Sequence, residues 1–81
     1  MDAAIIINNE TIPISWENEI GKGAILYVYA SAIIKATAAV QFLLNQLGYH
    51  HLWYGSEVTC KEGIFKFEIV EVEEANRYNL N

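Results

Sequence analysis

Cysteine is nearly missing from this chain. Cys60 is the only one, so no intramolecular disulfide can form, whereas a secreted domain of this size would usually carry several. Basic side chains are scarce as well: five Lys and Arg stand against ten Asp and Glu, a formal charge of −5. That balance lacks the basic footprint a nucleic-acid binder needs to displace counterions from phosphates. It also disfavours docking to an anionic membrane surface. Asp2 stands where a signal peptide would place basic residues before its apolar stretch, so a cytoplasmic address is expected. The five glycines (Gly21, Gly23, Gly48, Gly55 and Gly63) form no phosphate-binding spacing. Proline occurs once, at Pro13. Internal repeats, linkers and low-complexity segments are absent too.

What the chain does have is apolar material. Its 81 residues make one domain, 1–81, with no room for a second core. Hydrophobic residues are 53% of the total and charged ones 19%, more apolar surface than so small a domain readily hides. The surplus points to self-association or a docking face. From Gly23 to Tyr49 the only charge is Lys35, a length that could span a bilayer. Lys35 lies mid-segment, however, with Thr37, Gln41, Asn45 and Gln46 after it, and the first part reads as a strand. No membrane span is assigned.

Five strands and one helix are expected, in the order β-β-β-α-β-β. Ala3 to Ile7 is a β-branched run ending at Asn8-Asn9, which tolerate positive φ and suit a two-residue hairpin turn. Glu10 to Trp16 alternates, with Ile12, Ile14 and Trp16 on one face; Pro13 lacks a ladder donor, so this strand is expected at a sheet edge. Glu17 to Gly23 is a polar turn, and Ala24 to Ala30 the third strand. Ser31 is placed to cap a helix whose stripe is Ile33, Ala36, Val40, Leu43 and Leu47. Alanines 32, 36, 38 and 39 let its backbone approach the sheet closely, and Gly48 stops it. Leu52 to Cys60 reads as a strand interrupted at Gly55, Lys61-Glu62-Gly63 as a three-residue loop, and Ile64 to Val72 as the last strand. In that strand Phe65, Phe67 and Ile69 share a face, and a slip across Ile69-Val70 predicts a β-bulge. Residues 73–81 are read as a frayed tail. The simplest packing is an α+β domain with one helix against one face of a twisted antiparallel sheet.

Catalytic constellations are not found. His50 and His51 are adjacent and point to opposite faces of an entering strand, so they cannot readily share a metal with Cys60. Cys60 has no evident base beside it and is expected as a buried structural residue. The carboxylates Glu68, Glu71, Glu73 and Glu74 lie on a terminal strand, where nothing walls a pocket to shift their pKa values. No catalytic residue, metal site or cofactor is assigned, and the chain is not expected to be an enzyme. Binding features remain. Tyr27, Tyr29, Tyr49, Trp53 and Tyr54 are aromatic material of the kind that anchors interfaces and also fills small cores. Ile34 and Phe42 fall off the helical stripe on a face expected to be wet.

The strand, Ala-rich helix and hairpin over Tyr27 to Val72 resemble those of many small phage-encoded proteins. Among these the chain looks like an inhibitor of the anti-CRISPR type in its size, acidity and compact architecture. The resemblance covers no diagnostic motif, and no family residue is carried over on it. It implies a non-enzymatic inhibitor in a bacterial host cell that blocks a CRISPR effector subunit or another basic, nucleic-acid-handling protein without itself binding nucleic acid or membrane. The partner-binding residues would be Glu68, Glu71, Glu73 and Glu74, with Trp53 and Tyr54 as anchors. The alternatives are a homo-oligomeric accessory module, a homodimer held by Ile34 and Phe42 or by sheet-edge pairing, and an antitoxin or immunity protein.

Overall fold

A computed structural model describes residues 1–71; the expected tail, with Glu73 and Glu74, lies outside the described residues. The elements are β1 (Asp2–Ile7), β2 (Glu10–Ser15), a 3-10 turn (Ile20–Lys22), β3 (Ile25–Tyr29), α1 (Ile33–Gln46), β4 (Leu52–Lys61) and β5 (Ile64–Glu71). The strands form one antiparallel sheet in the order β1-β2-β3-β5-β4. The helix packs on one face of it, giving the expected α+β architecture. No helix among the described residues is long and apolar enough to cross a membrane.

Alternation decides the two faces. Side chains two apart in a strand share a side, and Ile5, Ile12, Ile14, Leu26, Val28, Phe65, Phe67 and Ile69 all bury on the helix side. Trp16 and Ile20 close that core from the connection after β2. From the helix come Ala36, Ala39, Val40, Leu43 and Leu44. Of the four alanines expected against the sheet, Ala36 and Ala39 are buried there, whereas Ala32 is exposed at the N-cap and Ala38 is half-buried. The ends of the anticipated stripe behave otherwise: Ile33 and Leu47 are half exposed, at 50% and 49%, while Leu44, in the last turn, is buried.

Both ends of α1 are set by backbone chemistry. Gly48 takes φ +83°, and Gly48 N–H donates to Asn45 C=O and Tyr49 N–H to Leu44 C=O, at 3.1 and 2.8 Å. These two bonds make a Schellman stop. They turn the Tyr49 ring onto Gly21, where an added Cβ would stand 3.4 Å from the ring. At the other end Ala32, not Ser31, is the N-cap, and no side chain caps it.

Both tight hairpins are of the kind whose two central residues have positive φ. Asn8 and Asn9 have φ 51° and 64°, as expected, and Glu62 and Gly63 have φ 54° and 80°. Lys61 pairs with Ile64, so the second loop is two residues, not three. The expected bulge lies in β4 instead of β5: the register shifts between Tyr54 and Val58, around Gly55. β5 alternates without a break, and Val70 sits on the far side of the sheet opposite Trp53.

Pro13 does not mark an edge strand. β2 is interior, between β1 and β3. Trp16 N–H donates to Met1 C=O at 2.8 Å, so the hydrogen-bonded pairs of the first hairpin are Met1–Trp16, Ala3–Ile14, Ile5–Ile12 and Ile7–Glu10. Pro13 falls between them, and its nitrogen faces β3. There the ladder covers only Ile14–Val28 and Ser15–Tyr27. The next bond would need an N–H on Pro13 for the Tyr29 carbonyl, and proline has none. The missing donor therefore ends the β2–β3 ladder, while Tyr29 stays paired with Ile64 of β5 and Ala30 N–H donates to Gly63 C=O before the chain turns into α1.

Two substitutions separate these roles. Phe67 is fully buried, so Phe67→Ala is expected to cost about 3–5 kcal/mol. Pro13→Ala removes no ladder bond and is expected to change stability by about 1 kcal/mol or less. Urea unfolding followed by circular dichroism reads both; equal losses would contradict this account of the core and of Pro13.

Candidate functional site

Among the described residues, nothing covers the sheet face opposite α1. The ladders fix its layout. One row runs Ala4, Pro13, Tyr29, Ile64 and Lys61 across the five strands; the next runs Asp2, Ser15, Tyr27, Lys66 and Thr59. Below them lie Ile25 and Glu68, then Val70 and Trp53. The middle of the upper rows is apolar and aromatic: Tyr27, Tyr29 and Ile64 are 41%, 59% and 39% exposed. Toward β4 the face becomes charged, with Glu57, Lys66 and Glu68 around Thr59.

Two depressions flank Tyr29. A shallow groove of about 250 Å³ lies over Pro13, Ser15, Tyr27 and Ile64. A larger cleft, about 480 Å³, opens where the β2–β3 ladder stops, between Thr11, Pro13, Tyr29, Ser31 and Gly63. Pro13 and Tyr29 line both. The cleft is the direct consequence of the absent N–H. By strand parity the backbone N–H and C=O of Thr11 and the carbonyl of Tyr29 point toward it, so extended polar groups lie at its rim. On the helix side, Lys35 joins Glu10 at 3.0 Å. Both side chains are nearly half exposed, so the pair contributes about 0–1 kcal/mol, but it neutralises one carboxylate beside the cleft.

The residues anticipated from sequence are dispersed. Glu68 belongs to the uncovered face, whereas Glu71 lies at the end of β5 opposite Leu52, on the other side of the strand by alternation. Those two glutamates therefore do not form one surface. Trp53 is half-buried on the uncovered face, and its ring centroid is 4.8 Å from that of Tyr54 at the outer edge of β4. Tyr54 turns inward and meets Phe67 edge-on at 5.3 Å, which makes it a wall of the core. Ile34 and Phe42 are exposed at 80% and 52%, as expected of residues off the stripe. They are eight positions apart on α1, with Ala38 between them on one ridge.

Tyr27 and Tyr29 emerge as the principal exposed aromatics of the uncovered sheet face. The signal for them was present: in Ala24-Ile-Leu-Tyr-Val-Tyr the period of two puts the tyrosines opposite Leu26 and Val28. What sequence did not reveal is which side the helix takes. Cys60 also departs from expectation, being exposed. It pairs with Phe65 on the helix side of β4, but β4 is an edge strand and Cys60 lies near its end. His50 and His51 are exposed in the turn before β4, with the His51 ring 6.1 Å from that of Tyr49. Among the described residues, no three His, Cys, Asp or Glu side chains converge as a metal ion would need.

If Tyr27 and Tyr29 serve the surface and not the core, Tyr27→Ser and Tyr29→Ser should each shift stability by about 1 kcal/mol or less. Thermal melts of the two variants check this; a loss near that of Phe67→Ala would assign them to the core. Comparison of the chain with protein-family models, with curated proteins and with solved structures gives no match.

Proposed function

We propose that this chain is a non-enzymatic protein-binding domain that inhibits a basic, nucleic-acid-handling protein, in the manner of the anti-CRISPR type it resembles. The observation that carries the reading is the uncovered sheet face. Tyrosines are favoured interface anchors because they are large, stiff and amphipathic, and here two of them stand exposed beside a cleft. Surfaces of this kind on small domains mark protein contacts.

The chemistry of the face describes the partner. An apolar or aromatic side chain fits the groove between Pro13 and Tyr27. An extended segment of the partner can donate to the Tyr29 carbonyl and bond to the Thr11 backbone at the cleft rim. Glu57 and Glu68 supply the acidic border, and the net charge of −5 steers a basic protein toward it. Tyr27 and Tyr29 replace Tyr54 as anchors in this reading, and Glu57 joins Glu68 in place of Glu71. A homo-oligomeric module is favoured by a different feature, the β1 edge.

The test uses purified CRISPR effectors as a panel, with inhibition of target-DNA binding as the readout. At least one effector is expected to lose DNA binding at near-stoichiometric inhibitor. Tyr27→Ser with Tyr29→Ser should weaken the effect about tenfold or more. Glu57→Lys with Glu68→Lys should weaken it and flatten its salt dependence. An untouched panel would contradict the inhibitor reading; inhibition indifferent to both pairs of substitutions would remove this face from it.

A further inference from the structure

The sheet has two edges, and they are built differently. β4 carries charge on its flank at Glu57 and Lys61, and its register is broken between Tyr54 and Val58. An irregular, charged edge is a poor template for another strand. β1 has neither protection. From Ala3 to Ile7 it is Ala-Ala-Ile-Ile-Ile, regular over its whole length against β2, with no charge, proline or bulge.

The same parity that turns the Pro13 nitrogen toward β3 fixes what β1 presents outward. Met1, Ala3, Ile5 and Ile7 bond to β2, so the N–H and C=O groups of Ala4 and Ile6 face away from the sheet. The Ile6 side chain is 67% exposed. Among the described residues, two rungs of unpaired backbone and a bare isoleucine therefore lie on the uncharged stretch from Ala3 to Ile7.

We propose that β1 is a self-association edge, pairing antiparallel with β1 of a second copy about a two-fold axis. The occupant follows from complementarity. With Ile5 opposite Ile5 of the other chain, Ala4 and Ile6 of each copy exchange N–H···O=C bonds with Ile6 and Ala4 of its mate. Large stands across from small on the uncovered face, and Ala3 faces Ile7 on the helix side, both favourable cross-strand arrangements. Asp2 then lies opposite Asn8, so no carboxylate opposes another. Shifting the register by a rung in one direction would set Asp2 beside Ile6, which is less favourable. For a chain of charge −5, like-charge repulsion is low at an edge whose one acidic side chain, Asp2, stands at its end. The product is one continuous sheet twice the width of the five-stranded one, a self-complementary, closed contact.

Light scattering over a concentration series tests this, read together with amide exchange at Ala4 and Ile6. The wild-type chain is expected to pass from its 9.2 kDa mass to twice that value by high micromolar concentration, and the Ala4 and Ile6 amides to gain protection in step. Ala4→Pro deletes an outward donor without touching the β1–β2 ladder, and Ile6→Lys places a charge on the edge. Both variants should keep the monomer mass at concentrations at least about tenfold higher, with an unchanged circular dichroism spectrum. Should Ala4→Pro fail to fold, Ile6→Lys decides the matter. Tyr27→Ser should still dimerise. A wild-type chain that stays monomeric at millimolar concentration would overturn the proposal, and so would a dimer that survives Ile6→Lys.

Discussion

One helix has to cover five strands. The 14 residues of α1 bury one sheet face against Ala36, Ala39, Val40, Leu43 and Leu44, and among the described residues no second layer exists for the other. Everything else about this domain follows from that constraint. The side chains of one parity go into the core, those of the other parity stay outside, and whatever apolar groups the outer set contains remain on view. Tyr27, Tyr29, Ile64 and Pro13 are the centre of that outer set. A surplus of apolar residues in a short chain thus becomes, by the arithmetic of strand alternation, a patch at a definite place.

Proline shapes the patch. Inside a regular sheet it would break a ladder bond at a real cost, and the structure avoids that cost by having no ladder there to break. β3 leaves β2 where Pro13 has nothing to donate, and the chain uses the departure to start the connection into α1. The cleft beside Tyr29 is the space left behind. Its rim of Thr11 and Tyr29 backbone groups differs chemically from the rest of the face, which offers side chains only. A partner that engages the patch meets directional hydrogen-bonding groups there as well as apolar area.

The order of elements, the Asn8-Asn9 turn, the Gly48 stop and the inward face of β5 were legible in the sequence because each is a local matter of φ, period or backbone donors. The errors were equally physical. Pro13 looks like an edge marker in the sequence, since a single strand cannot reveal that its neighbour diverges. The slip at Ile69-Val70 is only apparent: Val70 is an apolar residue on the uncovered face opposite Trp53, and alternation cannot distinguish that from a bulge. Cys60 has the parity of a core residue, and only the strand order exposes it. For the candidate site, the acidic strand end stands out over the tyrosines: a run of glutamates is conspicuous in one dimension, whereas the face they share or fail to share is set by pairing. Glu68 and Glu71, three apart, fall on opposite sides. Which side of β3 the helix takes, and hence the exposure of Tyr27 and Tyr29, is a tertiary fact that no local pattern encodes.

The most direct test of the uncovered face is solvent paramagnetic relaxation. A soluble gadolinium chelate added to the dilute chain should broaden the side-chain resonances of Tyr27, Tyr29 and Ile64 strongly while leaving Phe67, Leu26 and Leu44 sharp. That result would fix the tyrosine face as open surface beneath which the core is sealed. Shielding of Tyr27 and Tyr29 as complete as that of Phe67 would mean the face is covered within the single chain, and the account of this domain as a one-sided sheet with a binding surface would fail.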